Sequence, residues 1–316
     1  MKPYLFLLLL LCAACNPVTS YEGGSEKMNF EINYNDSMFE MSVTIGASGS
    51  ALLTIGNNRT DPDFDTLGLF RASISEQYLE QLVTAMRSLE FQNIVNPKFA
   101  VSGEPVRQLS MEEEERQIMK WTAYSTPTPP EFIAMEERIL GVVHSLRRHP
   151  VLAISVSSPD FPEQLERDKP GQFSVSISNP GTDTIKLQHP ENWSDEVTNL
   201  RLMALRSDIP LELLDAYHQK SEELTAESIV DIKGAQIEKN YVTLSPGEKV
   251  LYTISFTPDW PPGKYNVEIF YAASLFDGEE KEQLDCTFLT HSFALIINGE
   301  EKPGDVPDDE NNDEEL

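Results

Sequence analysis

The chain has 316 residues, and 40% of them are hydrophobic and 9% aromatic, which is enough to fill the cores of two ordinary domains and too much for a disordered chain. With 52 acidic residues against 24 basic ones, the formal net charge is −28. Nucleic acids and anionic lipid surfaces bind through Lys and Arg, so this charge argues against both and leaves cationic partners open.

The N-terminal residues have the form of a secretory signal. Lys2 provides a basic start, an apolar stretch follows from Leu5, and the small residues Ala13 and Ala14 end it. The apolar stretch is too short for a bilayer, which takes roughly 20 residues. These residues therefore predict export.

The end of this signal, Cys12-Ala13-Ala14-Cys15, resembles the lipobox of bacterial lipoproteins. The resemblance implies that residues 1–14 are a signal peptide, and that Cys15 is acylated and becomes the first mature residue. In that family the position taken here by Cys12 usually holds Leu, which is a departure. Asn16 stands where an aspartate would retain an enterobacterial lipoprotein in the inner membrane. The resemblance thus implies a lipid-anchored protein of the bacterial cell envelope, with the outer membrane favoured.

Residues 15–27 are polar and contain Gly23-Gly24, which is typical of a flexible tether. Residues 28–148 then predict an α+β domain with antiparallel strands and two helices. Apolar residues alternate in three runs that predict a meander, with a turn at 46–50, and a fourth strand is expected at 67–74. The three runs are Phe30, Ile32 and Tyr34; Phe39, Met41, Val43 and Ile45; and Ala51 to Ile55.

The period then changes to that of a helix. Ser73 or Ser75 can cap a helix that carries Leu79, Leu82, Val83 and Met86 on one face and ends near Phe91. Ser110–Glu113 has the spacing of another capping box and predicts a helix through Arg116, after which a strand ending near Tyr124 is favoured. A Pro-rich break precedes the second strong helical pattern, 132–146, and Pro150 marks the domain boundary.

Residues 151–298 predict a β-sandwich of short alternating strands. Leu211–Leu224 has helical composition and predicts a helical insertion. Three stretches resemble bacterial immunoglobulin-like domains: 173–181, 244–248 and the turn Pro262-Gly263-Lys264-Tyr265, whose tyrosine pins a corner in that family. The pattern is also similar to proteinase-inhibitor-type sandwiches, as a likeness of fold alone. Residues 299–316 are expected to be a disordered acidic tail.

Few residues have a pattern that indicates chemistry. Cys286 is expected to lie buried as a small apolar residue. The five histidines lack zinc-site spacing, and Asp61, Asp63 and Asp65 resemble the start of a calcium loop without its glycine or its final glutamate. Nucleophile-elbow, phosphate-loop and dinucleotide motifs do not occur, so no cofactor is expected.

Binding is the function that these features favour. Trp193 and Trp260 lie in predicted sandwich loops, where an aromatic ring either plugs the sandwich or contacts a partner. The sequence therefore predicts a non-enzymatic lipoprotein that binds a protein or a glycan. Two alternatives remain open: an inhibitor-like regulator acting through sandwich loops, and an enzyme whose carboxylates carry no short motif.

Overall fold

The computed structural model describes residues 30–58, 64–114, 116–193, 199–209 and 219–302. Their contacts divide the chain into two compact units. The first contains residues 30–57 and 68–151, and the second contains Asn58–Leu67 and everything from Leu152 onward. The segment Asn58–Leu67 therefore groups with the second unit although the sequence placed it inside the first.

The Asn58 side chain accounts for that grouping. Its Nδ2 donates to the Leu289 carbonyl oxygen at 2.9 Å, and its Oδ1 accepts from the Leu289 backbone N–H at 2.7 Å. An amide side chain thus forms the two hydrogen bonds that a neighbouring strand would supply. No pattern of local sequence marks this contact, because its two residues are 231 positions apart.

Within the described residues, the first unit has six strands and three helices. The strands are β1 (Phe30–Asp36), β2 (Met41–Gly46), β3 (Ser50–Ile55), β4 (Leu67–Ser73), β5 (Val106–Glu113) and β6 (Arg116–Ala123), and the helices are α1 (Glu76–Arg87), α2 (Leu89–Gln92) and α3 (Pro130–Leu146). The strands form an antiparallel sheet in the order β4-β3-β2-β1-β5-β6.

The predicted meander and fourth strand are confirmed. Strands β1 to β4 pair in sequence order, and their alternate apolar residues point into the core. Gly49 closes the turn between β2 and β3 with a φ of 80°, and a Cβ there would lie 2.8 Å from the Ile74 carbonyl oxygen. Glycine is required at this position because other residues disfavour that backbone angle and would also clash.

The first predicted helix is shorter than expected. Ser75 caps α1 by accepting from the Tyr78 N–H, and the helix stops at Arg87 because Ser88 is extended, with ψ 148°. The Ser88 hydroxyl then accepts from the Phe91 N–H and starts the short helix α2. The second predicted helix is confirmed as α3, except that Leu140 of its predicted apolar face is exposed.

The predicted helix over Ser110–Arg116 is wrong. Ser110 lies within β5 and pairs with Asn33 of β1 on one side and with Met119 of β6 on the other. A central strand satisfies its backbone groups along both edges, and this pairing outweighs a local capping pattern. The strand expected to end near Tyr124 is confirmed as β6.

The second unit contains two sheets of mainly antiparallel strands. Strands β7 (Pro150–Ser157), β9 (Gly171–Ser178), β16 (Lys249–Phe256) and β13 (Ile229–Lys233) form one of them. The strands of the other sheet are β8 (Gln164–Glu166), β10 (Ile185–Gln188), β11 (Asn199–Arg206), β12 (Gln219–Glu223), β14 (Gln236–Ile237), β15 (Tyr241–Leu244), β17 (Gly263–Asp277), β18 (Glu282–Leu289) and β19 (Phe293–Asn298). Six of them follow the order β12-β11-β17-β10-β15-β14. In addition, β18 and β19 pair with β17, and β8 pairs with β19.

Aromatic side chains join the two sheets face to face. Phe161 packs against Phe173 of β9 at 5.0 Å between ring centroids and against Phe293 of β19 at 4.8 Å. Trp193 contacts Tyr252 of β16 and Tyr271 of β17 in the same way. The second unit is therefore a β-sandwich, and the first and second units together make the described chain predominantly β.

The sandwich prediction holds in its strands but fails at the insertion. Residues 219–223 of the predicted helix form strand β12, which pairs with β11. Leu224, the last residue of that predicted helix, is buried and its N–H donates to the Leu200 carbonyl oxygen at 2.7 Å. Residues 211–218, like the signal peptide, the tether and most of the acidic tail, lie outside the described residues. Across the described ranges, no helix combines the length and the apolar character needed to cross a bilayer.

Two side chains fix the turns that the sequence singled out. The Tyr265 hydroxyl donates to the Pro261 carbonyl oxygen at 2.8 Å, so this tyrosine does pin the corner before β17. Asn179 is fully buried; its Nδ2 donates to the carbonyl oxygens of Asp183 and Leu244, and its Oδ1 accepts from the Gly181 N–H. Asn179 thereby connects the end of β9 to β15 of the facing sheet.

Replacing Asn179 should destabilise the sandwich strongly. In Asn179→Ala, buried backbone groups lose their partners, and we expect the free energy of unfolding to fall by about 3 kcal/mol. Urea titration followed by tryptophan fluorescence measures this. Thr182→Ala, an exposed change in the same turn, is the control and should stay within about 0.5 kcal/mol of the wild type. Equal effects of the two substitutions would contradict the role of Asn179.

Candidate functional site

A group of polar side chains lies where helix α3 packs on the first sheet; Tyr34, Asp36 and Glu136 are buried in it, Arg107 is half-buried and Tyr124 is exposed. Tyr34 and Asp36 come from β1, Arg107 from β5, and Tyr124 follows β6. Glu136 comes from α3, where it sits in the apolar stripe four residues after Phe132 and three before Ile139. We call these five residues the polar cluster. A carboxylate inside an apolar helix face was the available signal in the sequence, and sequence reasoning missed it.

The hydrogen bonds of the polar cluster link the helix to strands β1 and β5, and link β1 to Tyr124, which follows β6. The Tyr34 hydroxyl donates to Glu136 Oε1 at 2.8 Å and lies 3.4 Å from Asp36 Oδ2. Arg107 Nη1 donates to Glu136 Oε2 at 2.8 Å, and the Tyr124 hydroxyl donates to Asp36 Oδ2 at 2.7 Å. The guanidinium of Arg107 also stacks over the Tyr124 ring, 4.6 Å from its centroid.

Burial sets the protonation of this cluster. Desolvation raises the pKa of Glu136 above its ordinary value, and the nearby carboxylate of Asp36 adds to the rise, while Tyr34 and Arg107 oppose it. Burial also raises the pKa of the Tyr34 and Tyr124 hydroxyls far above that of a free tyrosine, with further contributions from Glu136 and Asp36. Both tyrosines are therefore fixed as hydrogen-bond donors at neutral pH.

The chemistry of the polar cluster suits a structural role better than catalysis. Each of its four carboxylate oxygens accepts a hydrogen bond, since Asp36 Oδ1 takes the Met38 N–H and the other three take the tyrosines and Arg107. Buried charges that are satisfied in this way hold a helix in one register on its sheet. A general acid or base would instead need an oxygen directed at a substrate.

A second surface, on the sandwich, is more apolar than strand alternation predicts. On the side of β11, β17 and β18 that faces away from the sandwich core lie Met203, Leu205, Glu268, Phe270 and Leu289. We call these five residues the outer face. Met203 and Leu205 are each 37% exposed, and Glu268 is opposite Met203 in the strand register.

The environment of Glu268 reflects its apolar neighbours. Partial burial raises the pKa of the Glu268 carboxyl above its ordinary value. In an antiparallel sheet with one solvated face, polar residues are expected outward, and Arg201, Asn266 and Glu268 on this side follow that rule. Met203 and Leu205 do not, and their exposure indicates an interaction surface.

The two tryptophans that the sequence left as either sandwich plugs or partner contacts occupy different positions. Trp260 is 2% exposed and packs on Phe256 and Tyr265, with ring centroids 5.2 and 5.5 Å away, so of the two roles it has that of a plug. The proline-rich turn folds the indole back over the Tyr265 corner. Trp193 is half-buried against Tyr252 and Tyr271, and its Nε1 donates to the Gln188 carbonyl oxygen. It closes one end of the sandwich.

The other predicted residues fall partly outside the structure. Cys286 is buried in β18, as predicted. Cys15, Asp61 and Asp63 lie outside the described residues, while Asp65 is exposed and accepts a hydrogen bond from Thr66. The sequence favoured a solvated loop over a calcium site at these three aspartates, and that interpretation stays a prediction. Within the described ranges, no three acidic, histidine or cysteine side chains are grouped so as to hold a metal ion.

Comparison with known proteins identifies no family. No protein-family model and no curated protein matches this chain. Solved structures align with just under half of it, at low similarity. The sporulation control protein Spo0M from Bacillus subtilis is 14% identical with a TM-score of 0.26, covering 46% of this chain and 49% of its own. The aligned part thus spans about half the length of Spo0M.

Two further structures are similarly distant. The putative ApaA protein from Bordetella pertussis is 12% identical with a TM-score of 0.25, covering 47% of this chain and 96% of its own. The CARDB domain of the PF1109 protein from Pyrococcus furiosus is 15% identical with a TM-score of 0.19, covering 45% and 85%. The description of the second unit as a β-sandwich therefore rests on its own strands and ring contacts.

The raised pKa of Glu136 predicts a specific pH dependence of stability. The folded protein holds this proton more tightly than the unfolded chain does, so the resulting stabilisation is complete below the ordinary pKa of 4.5 and is lost as the pH rises through the raised pKa. The stability advantage of the wild type over Glu136→Gln should therefore shrink as the pH increases. Urea unfolding of both proteins across a pH series measures it.

Glu137→Gln provides the matched control, because it removes an exposed carboxylate from the adjacent position of α3. An advantage of the wild type over Glu136→Gln that stays constant or grows with pH would contradict the raised pKa of Glu136.

Proposed function

We propose that this chain is a lipoprotein of the bacterial cell envelope that binds a partner and catalyses no reaction. Acylated Cys15 anchors it, with the outer membrane favoured, and a tether leads to an α+β domain. The second unit is an immunoglobulin-like sandwich whose outer face binds the partner. The lipobox resemblance of Cys12-Ala13-Ala14-Cys15 supports the anchor.

The outer face is the observation that carries the binding role. Its exposed apolar side chains, Met203 and Leu205, lie on β11, which pairs with β12 on one side and with β17 on the other, so the backbone beneath them is ordered before binding. Methionine and phenylalanine are favoured in protein interfaces. Glycan sites rely on exposed aromatic rings for stacking, and the candidate ring of Trp260 is buried. A protein is therefore the favoured partner over a glycan.

The enzymatic alternative has less support. The buried carboxylates that sequence reasoning could not locate are those of Asp36 and Glu136, and their oxygens are engaged by Tyr34, Tyr124, Arg107 and a backbone N–H. An acid–base pair in this position would have to break the contacts that hold α3 on the sheet.

The anchor predicts a specific pattern of acylation. Expressed in a bacterial host with labelled palmitate, Cys15→Ala should lose the label and leave the membrane fraction, because the acceptor thiol is gone. Cys12→Leu, which restores the residue usual in the family, is the control and should keep the label. Label that is undiminished in Cys15→Ala would refute the anchor.

The outer face predicts a site-specific loss of partner. The double substitution Met203→Asp with Leu205→Asp would bury two unpaired charges in the interface, and we expect retention of the partner from envelope extract to fall at least tenfold, or about 1.4 kcal/mol. Stoichiometric pull-down with photo-crosslinking at position 203 measures this. Val230→Asp, an exposed change on β13 of the other sheet, is the control. A crosslinked species found equally at positions 203 and 230 would count against the outer face.

A further inference from the structure

A loop of the first unit, residues 93–104, runs beside strand β6, and we call it the edge loop. In the described sheet, β6 pairs with β5 on one side and ends the strand order on the other. The backbone groups on its outward side need partners, since an open strand edge is prone to pair with other chains. The edge loop supplies several of these partners.

Side-chain hydrogen bonds attach one end of the edge loop to β6 and the other end to Ser125, just after β6. Asn96 Nδ2 donates to the Met119 carbonyl oxygen at 3.2 Å, and Asn96 Oδ1 accepts from the Trp121 N–H at 3.1 Å. Glu104 accepts from the backbone N–H groups of Val101 at 3.2 Å and Ser125 at 2.7 Å. The loop therefore has a defined shape.

Lys120 of β6 holds the start of the edge loop in place. Its Nζ donates to the carbonyl oxygens of Gln92 and Ile94, each at 2.7 Å. The Ile94 side chain is buried, so the start of the edge loop is held by packing as well as by hydrogen bonds.

The other side of the edge loop presents apolar side chains to solvent. Val95 is 85% exposed, Phe99 78% and Val101 66%. Lys98, also exposed, lies between them. Single exposed apolar residues are common on protein surfaces, but three of them held together on one anchored loop mark an interaction site.

Charge distinguishes the edge loop from the rest of the protein. No acidic residue occurs from Phe91 to Gly103, nor from Arg116 to Pro130 of β6 and the segment after it, although 52 of the 316 residues are acidic. The net charge of −28 repels anionic surfaces, but the charged residues of these two stretches are all cations. Glu104, the last residue of the edge loop, has its carboxylate engaged by the backbone N–H groups of Val101 and Ser125. This region is suited to a surface that presents phosphates above hydrocarbon.

The length of the chain before β1 supports a membrane as that surface. Fourteen residues, 16–29, separate Cys15 from Phe30, the first residue of β1. Fully extended, they span at most about 50 Å. As the predicted flexible tether they average roughly 20 Å end to end. A lipid anchor at Cys15 would therefore keep the edge loop at millimolar-range effective concentration near the bilayer.

We propose that the edge loop inserts Val95, Phe99 and Val101 into the boundary between headgroups and acyl chains of a phospholipid bilayer, with Lys98 on the lipid phosphates. This inference rests on the proposed lipid anchor and adds to it a second membrane contact that orients the first unit. The anchor holds the protein at the membrane, and the edge loop fixes which side of the first unit faces it. The outer face of the sandwich, which carries Glu268, is the surface for a protein partner.

Quenching by brominated phospholipid tests the insertion directly. The acylated full chain carrying Phe99→Trp is incorporated into phosphatidylcholine vesicles that contain lipid brominated near the top of the acyl chains. We expect the added tryptophan to lose at least half of its emission, measured as the difference from wild type, whose Trp121, Trp193 and Trp260 are present in every sample. Ile237→Trp, at an exposed position of the sandwich, is the matched control and should keep its emission.

A second arm separates the loop from the anchor. The Cys12→Ser full chain, produced in a cell-free system that does not acylate it, is coupled through the free Cys15 thiol to a maleimide-headgroup lipid, which tethers it at the same point; Cys286 is buried and does not compete. Quenching of Phe99→Trp in this arm supports the edge loop even if palmitate labelling refutes natural acylation. Addition of Val95→Asp and Val101→Asp should abolish the quenching.

Three results would overturn the inference. In the first, Phe99→Trp stays unquenched on protein that floats with the vesicles. In the second, Phe99→Trp and Ile237→Trp are quenched equally. In the third, the Phe99→Trp emission changes with protein concentration in the absence of lipid, which would identify a second copy of the chain as the occupant of the edge loop.

Discussion

The second unit depends on one long strand, β17. Among the described strands, β17 pairs with β10, β11, β18 and β19, so its register sets the position of each. Its inward residues alternate from Tyr265 to Leu275 and are almost completely buried. Because side chains alternate with a period of two, a slip of one residue would turn this whole set outward. The hydrogen bond from Tyr265 to the Pro261 carbonyl fixes where the alternation begins.

The first unit depends on a polar constraint. Glu136 interrupts the apolar face of α3, and its burial is tolerable only because Tyr34 and Arg107 donate to it. An apolar face alone would let the helix settle on the sheet in several ways, whereas this set of donors and acceptors accepts one. The energetic cost of burial is visible in the raised pKa of Glu136.

Sequence reasoning succeeded where the signal was local. Strands β1 to β4, β9, β16 and β17 and helix α3 were predicted because each shows its burial period within its own residues. It failed where a neighbour decided the outcome. Ser110 begins a helix-capping pattern, but it lies in β5, a central strand that pairs with β1 and β6. The polar stretch 219–223 was predicted as helix but forms β12, which pairs with β11. Trp260 beside prolines is compatible with both exposure and burial, and its packing on Tyr265 decided for burial.

The sequence by itself determined the alternation of the strands, the turn at Gly49, the burial of Cys286 and the absence of acidic residues from Phe91 to Gly103, because each depends on residues adjacent in the chain. The tertiary structure alone brought Tyr34 to Glu136 across 102 positions and Asn58 to Leu289 across 231. It also decided which apolar side chains stay uncovered at Val95, Phe99, Met203 and Leu205. Exposure is set by what packs against a residue, and packing partners distant in the chain leave no periodic trace in the local sequence.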